Sequence, residues 1–289
     1  MRRVVVGVDF SDGSMVALHW AARAARVNGV PLQLVSSWEH AWWSFLPAPF
    51  AITPVPEAED LTSVLAQQLQ ELVESEGLAD VATVPPVVKE GGAANALVDM
   101  VDPDDLLVVG SRGHGAARDT LLGSVSTRVT SLAPCIVAVV PNEEAAERTD
   151  GPVIVAVDGS ENSLAAVRWA GEKTDPAADI VVVAVWGVPM ILGQEGVGTD
   201  LSHVLESDKE RAETAADAAA AVLGELGRTF RLDVEQGEAR RVLTEMAHDA
   251  SMLVLGHRGR SGIAHALLGS VTTSLVHHPE CVVVVVPGH

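Results

Sequence analysis

The chain has 289 residues, enough for two domains of ordinary size, and hydrophobic residues make up 48% of it, which excludes disorder. Its formal charge of −20 argues against nucleic-acid and acidic-membrane partners, which need Lys and Arg to displace counterions. No apolar stretch is long enough to span a bilayer, and Asp9 ends the short run after Arg2 and Arg3, so the expectation is a cytoplasmic protein without a signal peptide.

In chain order, the first half reads as alternating strands and helices. Strands are predicted near 3–8, 32–38, 82–89, 105–109 and 135–140, and helices near 13–28, 58–76, 93–101 and 124–132. The strands are near-continuous Val, Ile and Leu runs, the pattern of a parallel sheet covered by helices on both faces. In the first helix Trp20, Ala21, Ala24, Ala25 and Val27 fall mostly along one stripe, and Ser11 to Ser14 offer capping oxygens at its start.

The second half repeats the first. Val4-Val5-Val6-Gly7-Val8-Asp9 returns as Val153-Ile154-Val155-Ala156-Val157-Asp158, and Gly91, Leu97, Gly110 and Cys135 return as Gly237, Leu243, Gly256 and Cys281. The polar stretch from Pro141 to Pro152 reads as the linker, which sets the domains at 1–148 and 149–289. The fold class is therefore α/β with two tandem Rossmann-like domains, each a five-stranded parallel sheet.

Both halves carry the spacing Gly-x-x-Gly-(nine residues)-Gly-Ser, as Gly110, Gly113, Gly123, Ser124 and as Gly256, Gly259, Gly269, Ser270. Each copy follows an apolar strand and leads into a helix. Glycines there let the backbone approach an anion, and a helix start offers unpaired N–H groups with the positive end of the helix dipole behind them. Ser124 and Ser126, matched by Ser270 and Thr272, add hydroxyls. One copy reads equally well as a tight turn before a capped helix; two copies at matching places favour a phosphate cradle. Asp9 and Asp158, at strand ends on the same edge, read equally as contacts to the ribose or base end of a nucleotide and as turn caps.

Other features point away from chemistry. Cys135 and Cys281 read as small buried hydrophobes at strand starts. There is no Walker lysine after either Gly-Ser, so a P-loop NTPase is not expected. Arg112 and Arg258 lie inside turns, and His114, His257, His277 and His278 have no partner common to both halves. No catalytic residue and no dedicated metal ligand set is assigned. The apolar runs 136–140 and 282–286 would be exposed edges, so the two halves are expected to form an intramolecular pseudo-dimer through them, with a homodimer of chains beyond that.

The pattern resembles the universal stress protein family in its tandem form. The resemblance covers nearly the whole chain and rests on Val-Gly-Val-Asp at 6–9, Asp-Gly-Ser at 158–160, Gly-Ser-Arg-Gly at 110–113 and Gly-His-Arg-Gly at 256–259. Leu-Leu-Gly-Ser-Val-Ser at 121–126 and Leu-Leu-Gly-Ser-Val-Thr at 267–272 complete it. It implies an adenine-nucleotide-hydrolase-like domain with one ATP site in each half. By the same resemblance Gly7, Asp9 and Asp158 would reach the adenosine, and Ser37 and Val185 would line the adenine. Backbone around Gly110, Ser111, Arg112, Gly113, Gly123, Ser124 and Val125 would hold phosphates, with a hydroxyl from Ser126. Gly256, His257, Arg258, Gly259, Gly269, Ser270, Val271 and Thr272 would do so in the second half. Any magnesium would be held mainly by the phosphates.

Three departures stand out. Phe10 occupies the position after the strand-end Asp where the family usually has Gly, which the second half keeps as Gly159; a core-facing Phe10 is expected. Ala156 replaces the counterpart of Gly7. The loop 39–57 carries Trp42, Trp43, Phe45 and Leu46, readable as a nucleotide lid or as a dimer contact. The functional expectation is an ATP-binding, nucleotide-dependent stress or growth regulator. Its alternatives are a slow ATPase or phosphoryl or adenylyl transferase with Ser124 or Ser126 as acceptor, and a nucleotide-free interaction module.

Overall fold

The computed structural model describes residues 1–39, 58–113, 123–187, 202–259 and 268–288. The chain divides into two compact units, Met1–Val137 and Ala138–His289. Among the described residues no helix is long and apolar enough to cross a membrane.

The first unit holds β1 (Val4–Gly7), α1 (Asp12–Asn28), β2 (Leu32–Trp38), α2 (Ala58–Ser75), β3 (Val87–Glu90), α3 (Ala93–Val98), β4 (Leu106–Gly110) and α4 (Ser124–Leu132). Its strands run β3-β2-β1-β4, and the pairings of β1 with β2 and β4 and of β2 with β3 are parallel. The fifth strand of the repeat, β5 (Ile136–Val140), crosses the division between the units. Val4, Val5 and Val6 are fully buried, as are Leu107 and Val108, so the central strands are enclosed as their unbroken apolar runs predict.

The second unit holds α5 (Glu143–Glu147), β6 (Val153–Val157), α6 (Glu161–Lys173), β7 (Ile180–Trp186), α7 (Ser202–Glu225), β8 (Phe230–Gln236), α8 (Ala239–Ala247), β9 (Met252–Gly256), α9 (Ser270–His277) and β10 (Val282–Val286). Its strands run β10-β9-β6-β7-β8 and are parallel throughout. The same strand-helix alternation thus gives the same sheet twice.

Helix ends follow their sequence. Ser11 caps α1 by accepting from the Ser14 amide, and Ser160 caps α6 by accepting from the Ser163 amide. Gly29 ends α1 in the left-handed region at φ 61°. Ala17, Leu18, Trp20, Ala21 and Ala25 form the buried stripe of α1, whereas Val27 is exposed and belongs to its outer face. The small residues let α1 lie close to β1 and β4.

Three local differences from the sequence reading have physical causes. β3 begins at Val87 instead of near residue 82, because Pro85 and Pro86 cannot donate to a ladder. The linker contains α5, capped by Asn142, whose side chain accepts from the Ala145 amide at 2.8 Å. Arg148 then donates to the Ala250 carbonyl at 3.2 Å, tying that segment to the second unit. Finally, the amino ends of β1 and β4 are joined by a polar cluster. The buried Asp105 accepts from Arg3 Nε at 3.0 Å and from the Asp102 amide at 3.0 Å, and Arg3 Nη2 donates to the Met100 carbonyl at 2.6 Å. The second repeat uses a lighter device there: Ser251 donates to the Pro152 carbonyl at 3.2 Å.

Candidate functional site

Each repeat opens a cavity at the carboxyl ends of its central strands, β1 and β4 in the first and β6 and β9 in the second, the edge at which open α/β sheets bind ligands. The first cavity, of about 580 Å³, is lined by Gly7, Val8, Asp9 and Ser14, by Val35, Ser36 and Ser37 of β2, and by Ala93, Ala96 and Leu97 of α3. Its remaining wall is Val109, Gly110, Arg112, Gly113, Gly123, Ser124, Val125 and Ser126. The second, of about 650 Å³, is lined by Ala156, Val157, Asp158, Ser163, Val183, Val185, Arg211, Ala239 and Leu243, with Leu255, Gly256, Arg258, Gly259, Gly269, Ser270, Val271 and Thr272. Both are of the size that encloses a cofactor.

The sequence motif thus comes together in space. Of the residues named from the sequence, Ser111 and His257 stand apart from the lining and act as ties. The Gly123 amide donates to the Ser111 carbonyl at 2.7 Å, and the Gly269 amide donates to the His257 carbonyl at 3.0 Å. The same bond in both repeats docks the helix start onto the glycine turn. A Cβ on Gly123 would stand 3.3 Å from the Ser111 carbonyl oxygen, a tight fit that leaves little room for a larger side chain.

No side chain caps α4 or α9, whose N-cap positions are Gly123 and Gly269. The same holds for α3 and α8, whose first residues, Ala93 and Ala239, also line the cavities. By contrast α1 and α6, on the other side of the carboxylates, are capped by serine. The uncapped helix starts therefore gather at the cavities, and helix starts of this kind favour anions. The hydroxyls of Ser126 and Thr272 are engaged with backbone carbonyls. Ser126, buried, donates to the Gly123 carbonyl at 3.0 Å, and Thr272 donates to the Gly256 carbonyl at 2.9 Å. In this conformation they brace the turn.

Asp9 and Asp158 face the glycine turns. Asp9 Oδ1 accepts from the Ser11 amide at 3.0 Å and from its hydroxyl, and Asp158 Oδ1 accepts from the Ser160 amide at 3.0 Å and from its hydroxyl at 2.6 Å. The turn-cap role is present, and it uses one oxygen of each carboxylate. The other, Oδ2, lies where a side chain on Gly113 or Gly259 would be. Ser14 and Ser163 sit five residues after these aspartates, and their hydroxyls accept from the Asp9 and Asp158 amides at 3.3 and 3.4 Å. That spacing, Asp with Ser five residues on, is legible in the sequence of both halves.

Phe10 does not enter the core. It has φ 61° and is 37% exposed, and it lies outside the cavity lining. The bend after the strand-end carboxylate demands the left-handed region, which Gly159 meets at φ 81° without a Cβ. Position 10 is thus directed by the turn and not by hydrophobicity.

Arg211, from α7, is a second residue the sequence reading missed. It lines the second cavity and pairs with Asp208, whose Oδ2 accepts from the Gly187 amide at 2.9 Å. Among the described residues of the first cavity wall, Arg112 of the turn is the one cation, so the repeat gives no signal for Arg211. His114, Trp42, Trp43, Phe45, Leu46, Leu121, Leu122 and Leu267 lie outside the described residues. Cys135 and Cys281 are buried, unbridged thiols pushed up to about 12 by burial.

Known proteins resemble this chain in sequence and architecture. The model of the universal stress protein family matches residues 1–141 and again 151–287. A universal stress protein of Mycolicibacterium smegmatis is 30% identical over 98% of this chain and 96% of its own. One from Mycobacterium tuberculosis is 31% identical over 93% of this chain and 90% of its own. Among solved structures, a universal stress protein from Archaeoglobus fulgidus shares the fold with a TM-score of 0.65 at 17% identity, covering 99% of this chain and 98% of that one. Two family domains in tandem account for both repeats and both cavities: the chain belongs to the universal stress protein family.

Proposed function

We propose that each domain binds one adenine nucleotide, ATP in the leading reading, and that occupancy of the two sites sets the state of a stress or growth regulator. The observation that carries this reading is the cavity built twice from the same parts. Each has a strand-end carboxylate on one side and, on the other, a glycine turn docked onto a helix start without a side-chain cap. An anionic tail on the turn and a ribose or base toward Asp9 or Asp158 suits that arrangement, since the reverse would set phosphate against carboxylate. Apolar walls from α3 or α8 and from β2 or β7 suit the faces of a base.

When bound with the nucleotide, magnesium would neutralise phosphate charge and be held largely by the phosphates themselves. The chain's own residues are assigned to binding: backbone at the turns to the phosphates, Asp9 and Asp158 to the sugar side, Ser37 and Val185 along the base. Equilibrium dialysis of protein stripped of ligand tests the reading. Retention of ATP, abolished at one site by Gly123→Val and at the other by Gly269→Val, is the expected result. No retention by the folded wild-type chain would end it.

A further inference from the structure

The two turns that line the cavities are supported differently. In the second repeat Asn162, the second residue of α6, donates from Nδ2 to the carbonyl of Arg258 at 3.1 Å, and Ser160 Oγ approaches the same carbonyl at 3.5 Å. Asn162 also packs beneath Gly256, where an added Cβ would stand 2.8 Å from its carbonyl carbon and 2.9 Å from its Cβ. The Asn162 side chain therefore holds the turn at Arg258, while its backbone carbonyl and Cβ lie under the first glycine.

The matching residue of the first repeat is Gly13, which has no side-chain donor. The carbonyl of Arg112 rests directly on it: a Cβ on Gly13 would come 2.5 Å from that oxygen, and a Cβ on Gly110 would come 2.6 Å from the Gly13 carbonyl. The packing under the first glycine is backbone in both repeats; what differs is the arginine carbonyl, which rests on Gly13 in the first and accepts from the Asn162 side chain in the second. Next to it the first repeat also carries Phe10 in the left-handed region, where the second has Gly159.

We propose that Asn162 is a positioning residue that presets the Gly256–Gly259 turn for a phosphate tail, making the second nucleotide site the tighter one and leaving the first turn to be ordered by its ligand. The ligand part rests on the nucleotide reading above; the preset turn does not. A turn held in its binding shape before the ligand arrives loses less conformational freedom on binding. A hydrogen bond that does this is worth about threefold to tenfold in affinity.

The test uses the full chain, stripped of ligand, with Asn162→Ala as the variant. Hydrogen exchange in the absence of nucleotide should show slower exchange for the amides of 256–259 than for those of 110–113. The variant should erase that contrast while its Tm stays within about one or two degrees of wild type. Titration with ATP, each site isolated by Gly123→Val or Gly269→Val, should give the second site about threefold to tenfold the affinity of the first, a difference lost with Asn162→Ala. Equal exchange at the two turns in the wild type overturns the proposal, as does a variant whose second site keeps its advantage. Unequal exchange with no ATP bound at either site would overturn the nucleotide reading and the affinity order while leaving the preset turn standing.

Discussion

The Oδ2 atom of Asp9 lies in the space that a side chain on Gly113 would fill, and Asp158 stands in the same relation to Gly259. Strand end and turn are thus matched across each cavity, in a contact that depends on the second glycine of the motif having no Cβ. Gly113→Ala and Gly259→Ala should each push the carboxylate aside and weaken ATP at their own site by at least about tenfold, with an overpacking cost of about 1–3 kcal/mol. Titration of each variant beside a urea unfolding curve separates the two effects. Unchanged affinity would mean the carboxylate contact does not shape the site.

Phe10 is held at φ 61° in a bend that its counterpart Gly159 enters freely. A side-chain-bearing residue there costs about 1–2 kcal/mol, offset in part by the greater freedom glycine has in the unfolded chain. Phe10→Gly should therefore raise stability by about 0.5–1 kcal/mol, measured by denaturant unfolding. A loss of stability would show that the half-exposed ring makes contacts worth more than the strain.

How legible was all this in the sequence? The strand-helix order, the repeat and the glycine turns were readable because unbroken apolar runs and paired glycines carry strong signals, and the repeat supplied an internal check. Phe10 misled because hydrophobicity says nothing about φ. The contact of Arg3 with Asp105 joins residues about a hundred apart, and the second half meets the same place with Ser251 and the Pro152 carbonyl, so no shared motif marks it. Arg211 and Asn162 carry no motif of their own, and their partners, Asp208 and the Arg258 carbonyl, are set by the fold. Ser126 and Thr272 were found, but their hydroxyl partners were not, since a serine near a helix start can serve ligand or backbone and only geometry decides.

Asp105 is fully buried and holds Arg3 and the Asp102 amide at the amino ends of β1 and β4. Asp105→Ala would leave a guanidinium with little solvent and no carboxylate. The expected cost is about 2–4 kcal/mol, concentrated in the first unit. Hydrogen exchange should report loosening of residues around 1–7 and 102–110 with the second unit unaffected; a shift of less than about 0.5 kcal/mol would contradict the role given to the cluster.

Burial raises the thiols of Cys135 and Cys281 to about 12, against 9.0 for an ordinary thiol. Both stay protonated in the folded chain while the unfolded chain ionises above pH 9, so the unfolded state binds fewer protons there and stability falls as pH rises. Below about pH 9 the contribution is fully present. Between roughly pH 9 and 12 each thiol should remove about 1.4 kcal/mol per pH unit, and Cys135→Ala with Cys281→Ala should flatten that slope. The same burial predicts no alkylation of the native chain at neutral pH. Rapid labelling under native conditions would contradict it.

The central claim is that each half offers backbone amides to the charged tail of an adenine nucleotide. Calorimetric titration of ligand-free chain with ATP and, separately, with adenosine addresses it most directly. Two ATP per chain are expected, with adenosine weaker by about a hundredfold or more, the loss that follows when two or more charge-assisted hydrogen bonds are removed. Adenosine binding as tightly as ATP, or neither binding to the folded chain, would contradict it.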